Sequence, residues 1–327
     1  MRSVTVEEAA ALLGRLDHMY ILTHERPDGD TLGSAAALCL GLRDLGKKVY
    51  VLRNPDLTPR YEGYVAGCLA ASDTPPDDAV LVAVDIAAPE RIPETQRRLA
   101  PRVILSIDHH PGDTRLGVHS CVRTDSASTG EIIFRILRAL SVPLTPDIAL
   151  PLYLALSTDT GCFLFANTTP DTHRVAAALL DTGIDVVPVN REMFETKSRR
   201  RFQVEALMIE SMEFYCDGAV AVCFLTMDMR ERTGAGEDDI DNIAALPRKI
   251  QDVEVGVVIK EMPDGVCRIS VRSSEKCDAS RVCARLGGGG HIRAAGATLR
   301  LPLPEVRLAV LQAVEVEMQN AECGMQK

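Results

Sequence analysis

Three short apolar runs constrain this chain more than any other feature. Residues 18–23 (HMYILT), 79–85 (AVLVAVD) and 102–107 (RVILSI) are apolar at nearly every position. A strand with one face in water alternates apolar and polar residues. A continuous run instead signals a strand covered on both faces, as in a parallel sheet. Helical patterns lie between and after these runs, over 4–15, 30–45, 128–140, 147–157 and 172–181, and a further strand is predicted over 49–53. Asp30 and Thr31 open the second helix and Gly46 closes it, while Gly183 follows the last. Ser128-Thr129-Gly130-Glu131 fits a capping box. The alternation predicts an α/β fold with a mostly parallel, doubly wound sheet and helices on both faces.

The pattern changes after residue 190. Residues 191–214 read as a polar helical connector. Strands are expected over 219–225, 253–261 and 267–272, with a hairpin turn at Pro263-Asp264-Gly265, and helices over 237–249, 278–286 and 304–319. The predicted division is a first domain over 1–190, the connector, and a smaller α/β domain over 215–327.

Charge and composition narrow the function. The 327 residues carry a net charge of −10, so no general polycationic grip on long double-stranded nucleic acid is expected. Trp is absent and aromatics are only 4%, which leaves little for an extended base-stacking groove. A small phosphorylated ligand stays open, because local cations can invert the field in one pocket. The 10 cysteines form no C-x-x-C pair, and no run is apolar and long enough to span a bilayer. A cytoplasmic protein with reduced thiols and no membrane partner is expected.

Polar residues gather where the predicted strands end. His24-Glu25-Arg26-Pro27-Asp28-Gly29-Asp30 follows the first strand and opens a helix; Asp28 or Asp30 could also serve only as a cap. Asp85 ends the second run. Asp108-His109-His110 ends the third, and titratable groups at a buried terminus are costly without partners. Asp159 follows a helix in Ser157-Thr158-Asp159-Thr160-Gly161. The set His24, Asp28, Asp30, Asp85, His109 and Asp159 suffices for two divalent ions sharing a carboxylate, an arrangement suited to in-line displacement at phosphorus. Neutral His with ionised Asp suits manganese, and less selectively zinc or iron. His18 and His173 read as surface or helix-end residues, His119 as a loop residue, and Glu131 as a cap.

In the second domain, Gly287-Gly288-Gly289-Gly290-His291 allows backbone N–H groups to approach an anion, and a helix starting near His291 would add its dipole. Arg272, in Ser270-Val271-Arg272-Ser273-Ser274, can make a forked contact to phosphate.

Taken together, HERPDGD, VAVD, SIDHHP, STDTGCF, RSS and GGGGHIRAAG resemble the motifs of the DHH/DHHA1 phosphoesterase family, most closely its short nanoRNase (NrnA-type) branch. The resemblance covers nearly the whole chain. It implies a two-manganese site between the domains, with magnesium or another divalent ion as alternatives. His24 and Asp28 would hold one ion, Asp30, His109 and Asp159 the other, and Asp85 would bridge. His110 would protonate the leaving oxygen or bind the scissile phosphate, so His110 and Asp85 are the expected catalytic residues. Arg272, Ser273, Gly288, Gly289, Gly290 and His291 would hold substrate. The implied activity is hydrolysis of short RNA to 5′-mononucleotides, with 3′-phosphoadenosine 5′-phosphate as a further substrate. The alternatives are a cyclic or linear dinucleotide phosphodiesterase, a pyrophosphatase, against which the glycine loop argues, and a non-catalytic nucleotide sensor. A homodimer is a further expectation left open.

Overall fold

The computed structural model describes residues 1–111, 116–240 and 243–324. The chain divides into two compact units, Met1–Thr196 and Lys197–Lys327. No helix among the described residues is long and apolar enough to cross a membrane.

The first unit holds strands β1 (Arg2–Ser3), β2 (Met19–Leu22), β3 (Val49–Val51), β4 (Val80–Val84), β5 (Val103–Asp108) and β6 (His119–Val122). Its helices are α1 (Val6–Arg15), α2 (Gly29–Asp44), α3 (Pro59–Val65), α4 (Thr129–Ala139), α5 (Pro146–Asp159), α6 (Pro170–Leu180) and α7 (Val187–Asn190). All strand pairs are parallel, in the order β1-β6-β5-β4-β2-β3. Ile21, Val82, Val84, Leu105 and Ile107 pack on one face of this sheet, and Leu22, Leu81, Ala83 and Val103 on the other. Burial on both sides explains the uninterrupted apolar runs. His119, expected in a loop, opens β6 opposite Leu105. The short HSCV segment carries no apolar run of its own, so only its neighbours reveal it as a strand.

From β2 the chain steps to β3 on one side, then returns to β4 on the other. The order therefore reverses between β2 and β4, and the carboxyl ends of those strands flank the crevice where open α/β sheets bind ligands. Helix α2 begins one residue earlier than expected. Its cap is Asp28, which accepts hydrogen bonds from the N–H groups of Asp30 (3.0 Å) and Thr31 (3.1 Å). Asp30 thus falls in the first turn, and its carboxylate is left for other partners. Helices α2 and α5 run antiparallel and very close. A Cβ on Gly33 would strike the Pro151 carbonyl and lie 2.9 Å from the Ala155 nitrogen. One on Gly29 would strike Thr158.

The second unit contains α8 (Arg199–Glu210), β7 (Glu213–Tyr215), β8 (Val220–Leu225), α9 (Met227–Thr233), β9 (Val255–Glu261), β10 (Cys267–Ser273), α10 (Ala279–Arg285), β11 (Gly289–His291), β12 (Ala294–Leu299) and α11 (Leu303–Gly324). The sheet order is β11-β12-β10-β9-β8-β7, antiparallel except for β8 with β9. Helices α10 and α11 cover one face through Val282, Val306 and Val310. The other face takes Val204 and Met208 of α8, with Ile240 and Ile243.

The segment expected as one helical connector is broken. A π-helical turn at Arg191–Glu195 ends at an extended Thr196, and Ser198 then caps α8. The helix expected over 237–249 is replaced among the described residues by 3-10 turns at Asp238–Ile240, Ile243–Ala245 and Pro247–Lys249. Pro247 cannot continue a helix from the preceding turn, and Ile240 and Ile243 are drawn into the core instead. The helix expected near His291 is also absent. Gly289–His291 forms a hairpin with β12, and Gly290 has φ +147 with a Cβ position 2.6 Å from the Ala295 Cα. The glycines let two backbones lie together there rather than opening a helix.

Candidate metal centre

The carboxyl ends of β2, β4 and β5, the first turn of α2 and the last residue of α5 converge. Nε2 of His24 lies 3.7 Å from Asp28 Oδ1 and 3.5 Å from Asp85 Oδ2. Nε2 of His109 lies 3.8 Å from Asp85 Oδ1, 3.8 Å from Asp30 Oδ2 and 3.5 Å from Asp159 Oδ2. Three donor groups result among the described residues: His24 with Asp28 and Asp85, Asp30 with His109 and Asp159, and Asp85 with His109 and His110. Within each, ligand atoms lie within 4.8 Å of one another. The two oxygens of Asp85 face different groups. All six residues singled out in the first unit are therefore brought to one place.

The donor chemistry fits cations. Nδ1 of His24 is 2.7 Å from the Glu25 carbonyl, so it carries a proton, and Nε2 is turned toward the carboxylates. Nδ1 of His109 makes a longer approach, 3.4 Å, to the Ser126 carbonyl. His109 Nε2 is buried and has no hydrogen-bond partner. A carbonyl behind the imidazole and an unmatched nitrogen in front is the arrangement of a metal-binding histidine. Four carboxylates crowd the same space. Burial, then repulsion from Asp85, Asp159 and Asp28, holds Asp30 well above the usual carboxylate range. Burial raises Asp159 to about 6 although His109 opposes it.

Burial alone would lower His24, but Asp28 and Asp85 override it and push it up to about 10. Without metal, His24 is protonated at neutral pH, and a cation binding Nε2 must displace that proton. Manganese uptake is expected to release at least one proton, with affinity rising as pH rises. Titration calorimetry at pH 7 in buffers of different protonation heat checks this, and uptake without proton release would contradict it.

Further residues hold the carboxylates in place. The N–H groups of Thr129 and Gly130, at the start of α4, donate to Asp30 Oδ2 (2.8 Å) and Oδ1 (3.0 Å), and the Ser34 hydroxyl donates to Oδ1 (3.2 Å). The Thr129 hydroxyl donates to Asp85 Oδ1 (2.8 Å). Thr129 therefore grips both Asp30 and Asp85. Asp85 itself sits at φ +60, a left-handed conformation uncommon outside Gly, Asn and Asp. Asn54 donates to the His24 carbonyl (2.9 Å) and to Thr23 Oγ1 (2.8 Å). Asp108 is fully buried and accepts from the N–H (3.0 Å) and Nδ1 (2.8 Å) of His110.

The sequence marked the start of α4 only as a capping box, and only half of the box exists. Ser128 accepts from the Glu131 N–H (3.3 Å), while the buried Glu131 carboxylate accepts from the Thr172 hydroxyl (2.6 Å). His18 lies near Asp78 (3.3 Å), and the His173 ring stacks on Phe163 at 5.2 Å. Neither belongs to the centre.

In the second unit, Ala294 of β12 pairs with Arg272 of β10 on one side and His291 of β11 on the other. Directly opposed residues of antiparallel strands share a face, so Arg272 and His291 stand in one row. Burial, the main influence on the Arg272 guanidinium, lowers its pKa. Ser273 points to the other face, where it is buried and its hydroxyl donates to the Ile292 carbonyl (3.1 Å). That bond ties the hairpin to β10. A Cβ on Gly288 would strike the Gly296 carbonyl, so part of the glycine run serves close packing.

Comparison with known proteins matches this picture. Residues 18–156 match the DHH family, N-terminal domain, and residues 217–320 match the DHHA1 domain. The bifunctional oligoribonuclease and PAP phosphatase NrnA of Thermus thermophilus is 34% identical over 307 residues, which is 93% of this chain and 91% of the relative. An exopolyphosphatase-related protein from Bacteroides fragilis shares the fold, with a TM-score of 0.82, 24% identity and 97% of each chain covered. RecJ of Thermus thermophilus, solved in complex with Mn2+, shares it more distantly, with a TM-score of 0.55, 18% identity, 96% of this chain and 55% of RecJ covered. The fold, the donor cluster and these matches define a metal-dependent phosphoesterase. The chain belongs to the DHH/DHHA1 family.

Proposed function

We propose that the enzyme hydrolyses short RNA oligonucleotides to 5′-mononucleotides and also removes the 3′-phosphate of 3′-phosphoadenosine 5′-phosphate. The observation that carries this reading is the Asp85 carboxylate facing two separate donor groups, in a chain similar over 93% of its length to a relative named for both activities. His24, Asp28 and Asp85 would hold one divalent ion, and Asp30, His109 and Asp159, with Asp85, a second. Manganese is the proposed metal, on the mixed His and Asp donor set. Bound divalent ions supply Lewis acidity to the phosphoryl oxygens and acidify the attacking water.

The protein's own groups do the rest. Asp108 engages Nδ1 of His110 and leaves Nε2 for the substrate. The Asp108 hydrogen bond keeps the His110 imidazole above its ordinary range although it is partly buried. We assign His110 to protonate the leaving oxygen or to bind a phosphate oxygen. Arg272, His291 and the N–H groups of Gly289 and Gly290 are proposed to bind further phosphate; the Gly288 N–H, expected there from the sequence, instead donates to the Cys283 carbonyl (2.8 Å), and Ser273 would contribute by fixing the hairpin. A net charge of −10 argues against a general grip on long strands and leaves substrates of a few nucleotides. A cytoplasmic location is part of the same proposal.

The test is a substrate panel on metal-stripped protein, with manganese or magnesium added back. Diadenylate, short RNA, cyclic di-AMP and 3′-phosphoadenosine 5′-phosphate are compared. Fastest turnover of short RNA and diadenylate supports the reading. Faster cleavage of the cyclic compound overturns the substrate assignment, and nucleotide binding without hydrolysis under either metal overturns the reaction.

A further inference from the structure

The segment after Asp159 is unusual in its backbone and in what it leaves in water. Gly161, Cys162 and Phe163 are consecutive left-handed residues, at φ +56, +57 and +67. L-residues visit this region singly, so a run of three with two side-chain-bearing members is rare. The loop is nonetheless well tied down. The Thr160 carbonyl accepts from the N–H groups of Leu164 (2.9 Å) and Phe165 (3.0 Å), and the Ser157 carbonyl from that of Cys162 (2.7 Å). Asn167 donates to the carbonyls of Ala127 (2.9 Å) and Asp159 (3.1 Å). Phe163 turns inward, with its ring 5.2 Å from His173 and 6.3 Å from Tyr153.

The next two residues do the reverse. Leu164 is 84% exposed and Phe165 55% exposed. The Phe165 ring has a defined seat, because its tip rests on Gly161 where any Cβ would collide with it. A fixed loop that begins beside a donor carboxylate thus displays an aliphatic and an aromatic side chain to solvent. Adjacent exposed apolar groups on a fixed loop that starts at a donor residue suit a ligand in a way that scattered ones do not. The chain has 7 Phe and no Trp, so aromatic surface is scarce.

We propose that Phe165, with Leu164 beside it, is a platform on which one nucleobase of the substrate stacks while its phosphate lies at the Asp159 side of the metal centre. This rests on the nucleotide reading given above and adds a base-binding subsite to it. Every base has a π-face, so a single platform binds without strong sequence preference. One platform also suits a substrate of few nucleotides.

The experiment uses the manganese-loaded full chain and the variants F165A, F165L and F165Y, with thermal melts to confirm folding. Substrates are diadenylate and a base-free ribose 5-phosphate methyl ester. F165A is expected to raise KM for diadenylate roughly ten-fold, the scale of base–aromatic stacking, with kcat within about two-fold. The base-free ester is expected to show no change. F165Y should behave as wild type, and F165L as F165A, since it keeps apolar bulk but no π-face. Unchanged KM in F165A, or an equal loss on the base-free ester, overturns the platform.

A second readout separates this idea from the function it rests on. Stacking quenches the fluorescence of 2-aminopurine riboside 5′-monophosphate. Quenching by wild type but not by F165A upholds the platform even if diadenylate is not hydrolysed, an outcome that would sink only the substrate reading. Absence of quenching by wild type overturns the platform.

Discussion

Asp85→Asn is expected to lower turnover by on the order of 10³-fold or more, as loss of a central charged group does in other catalytic centres, while the metal-free protein stays as stable or becomes more so. The two effects have one origin. Asp85 is buried beside Asp30, Asp28 and Asp159, and without cations these carboxylates repel one another. Removing one negative charge relieves that repulsion and also removes the group that faces both donor clusters. Asn suits the position for two reasons: it is isosteric, so Thr129 can still donate to its oxygen, and it tolerates φ +60. Ala tolerates it less well, and Asp85→Ala should melt below Asp85→Asn by about 1 kcal/mol. Steady-state kinetics with saturating manganese, and melts in a chelator, measure both. Retained turnover in the Asn variant would remove Asp85 from its proposed place.

Thr129→Val should show the opposite balance. It keeps the shape and the N–H to Asp30 but deletes the hydroxyl on Asp85. A buried carboxylate oxygen then loses its donor, which costs the metal-free fold about 1–3 kcal/mol. Manganese affinity should fall by about 10–100-fold, the usual effect of losing a group that orients a ligand. Thr129→Ser restores the hydroxyl and should stay close to wild type. Manganese titration of the three proteins decides the matter. Wild-type affinity in the Val variant would make Thr129 a helix-start residue and nothing more.

Much of the first unit is visible in the sequence because burial on both faces of a parallel sheet leaves uninterrupted apolar runs. His24, Asp85 and His109 were visible for a related reason: a run that ends abruptly in His or Asp marks a strand terminus, and in this fold those termini meet the helix ends that carry Asp28, Asp30 and Asp159. What escaped notice depends on contacts distant in the chain. Thr129 reads as part of a cap because nothing local shows that Asp30, about a hundred residues earlier, needs its N–H. Glu131 fits a capping box by spacing, yet its carboxylate is drawn to Thr172. Glycines 287–290 are equally compatible with an anion loop, a helix start or a hairpin, and only the register with β12 decides between them. The resemblance through the RSS motif assigns Ser273 to substrate along with Arg272, but successive strand residues point to opposite faces.

The close seating of α2 on α5 bears on how the catalytic centre responds to heat. Asp28 and Asp30 ride on the start of one helix and Asp159 on the end of the other, and backbone meets backbone at Gly33 with no side chain between to act as a cushion. The proposed ligands on these two helices stay together as long as the helices do, and separating the helices dismantles the domain's interior. If the proposed cations bind there, warming should leave them in their seats until the surrounding scaffold gives way, with metal escape and collapse of the domain arriving as a single event.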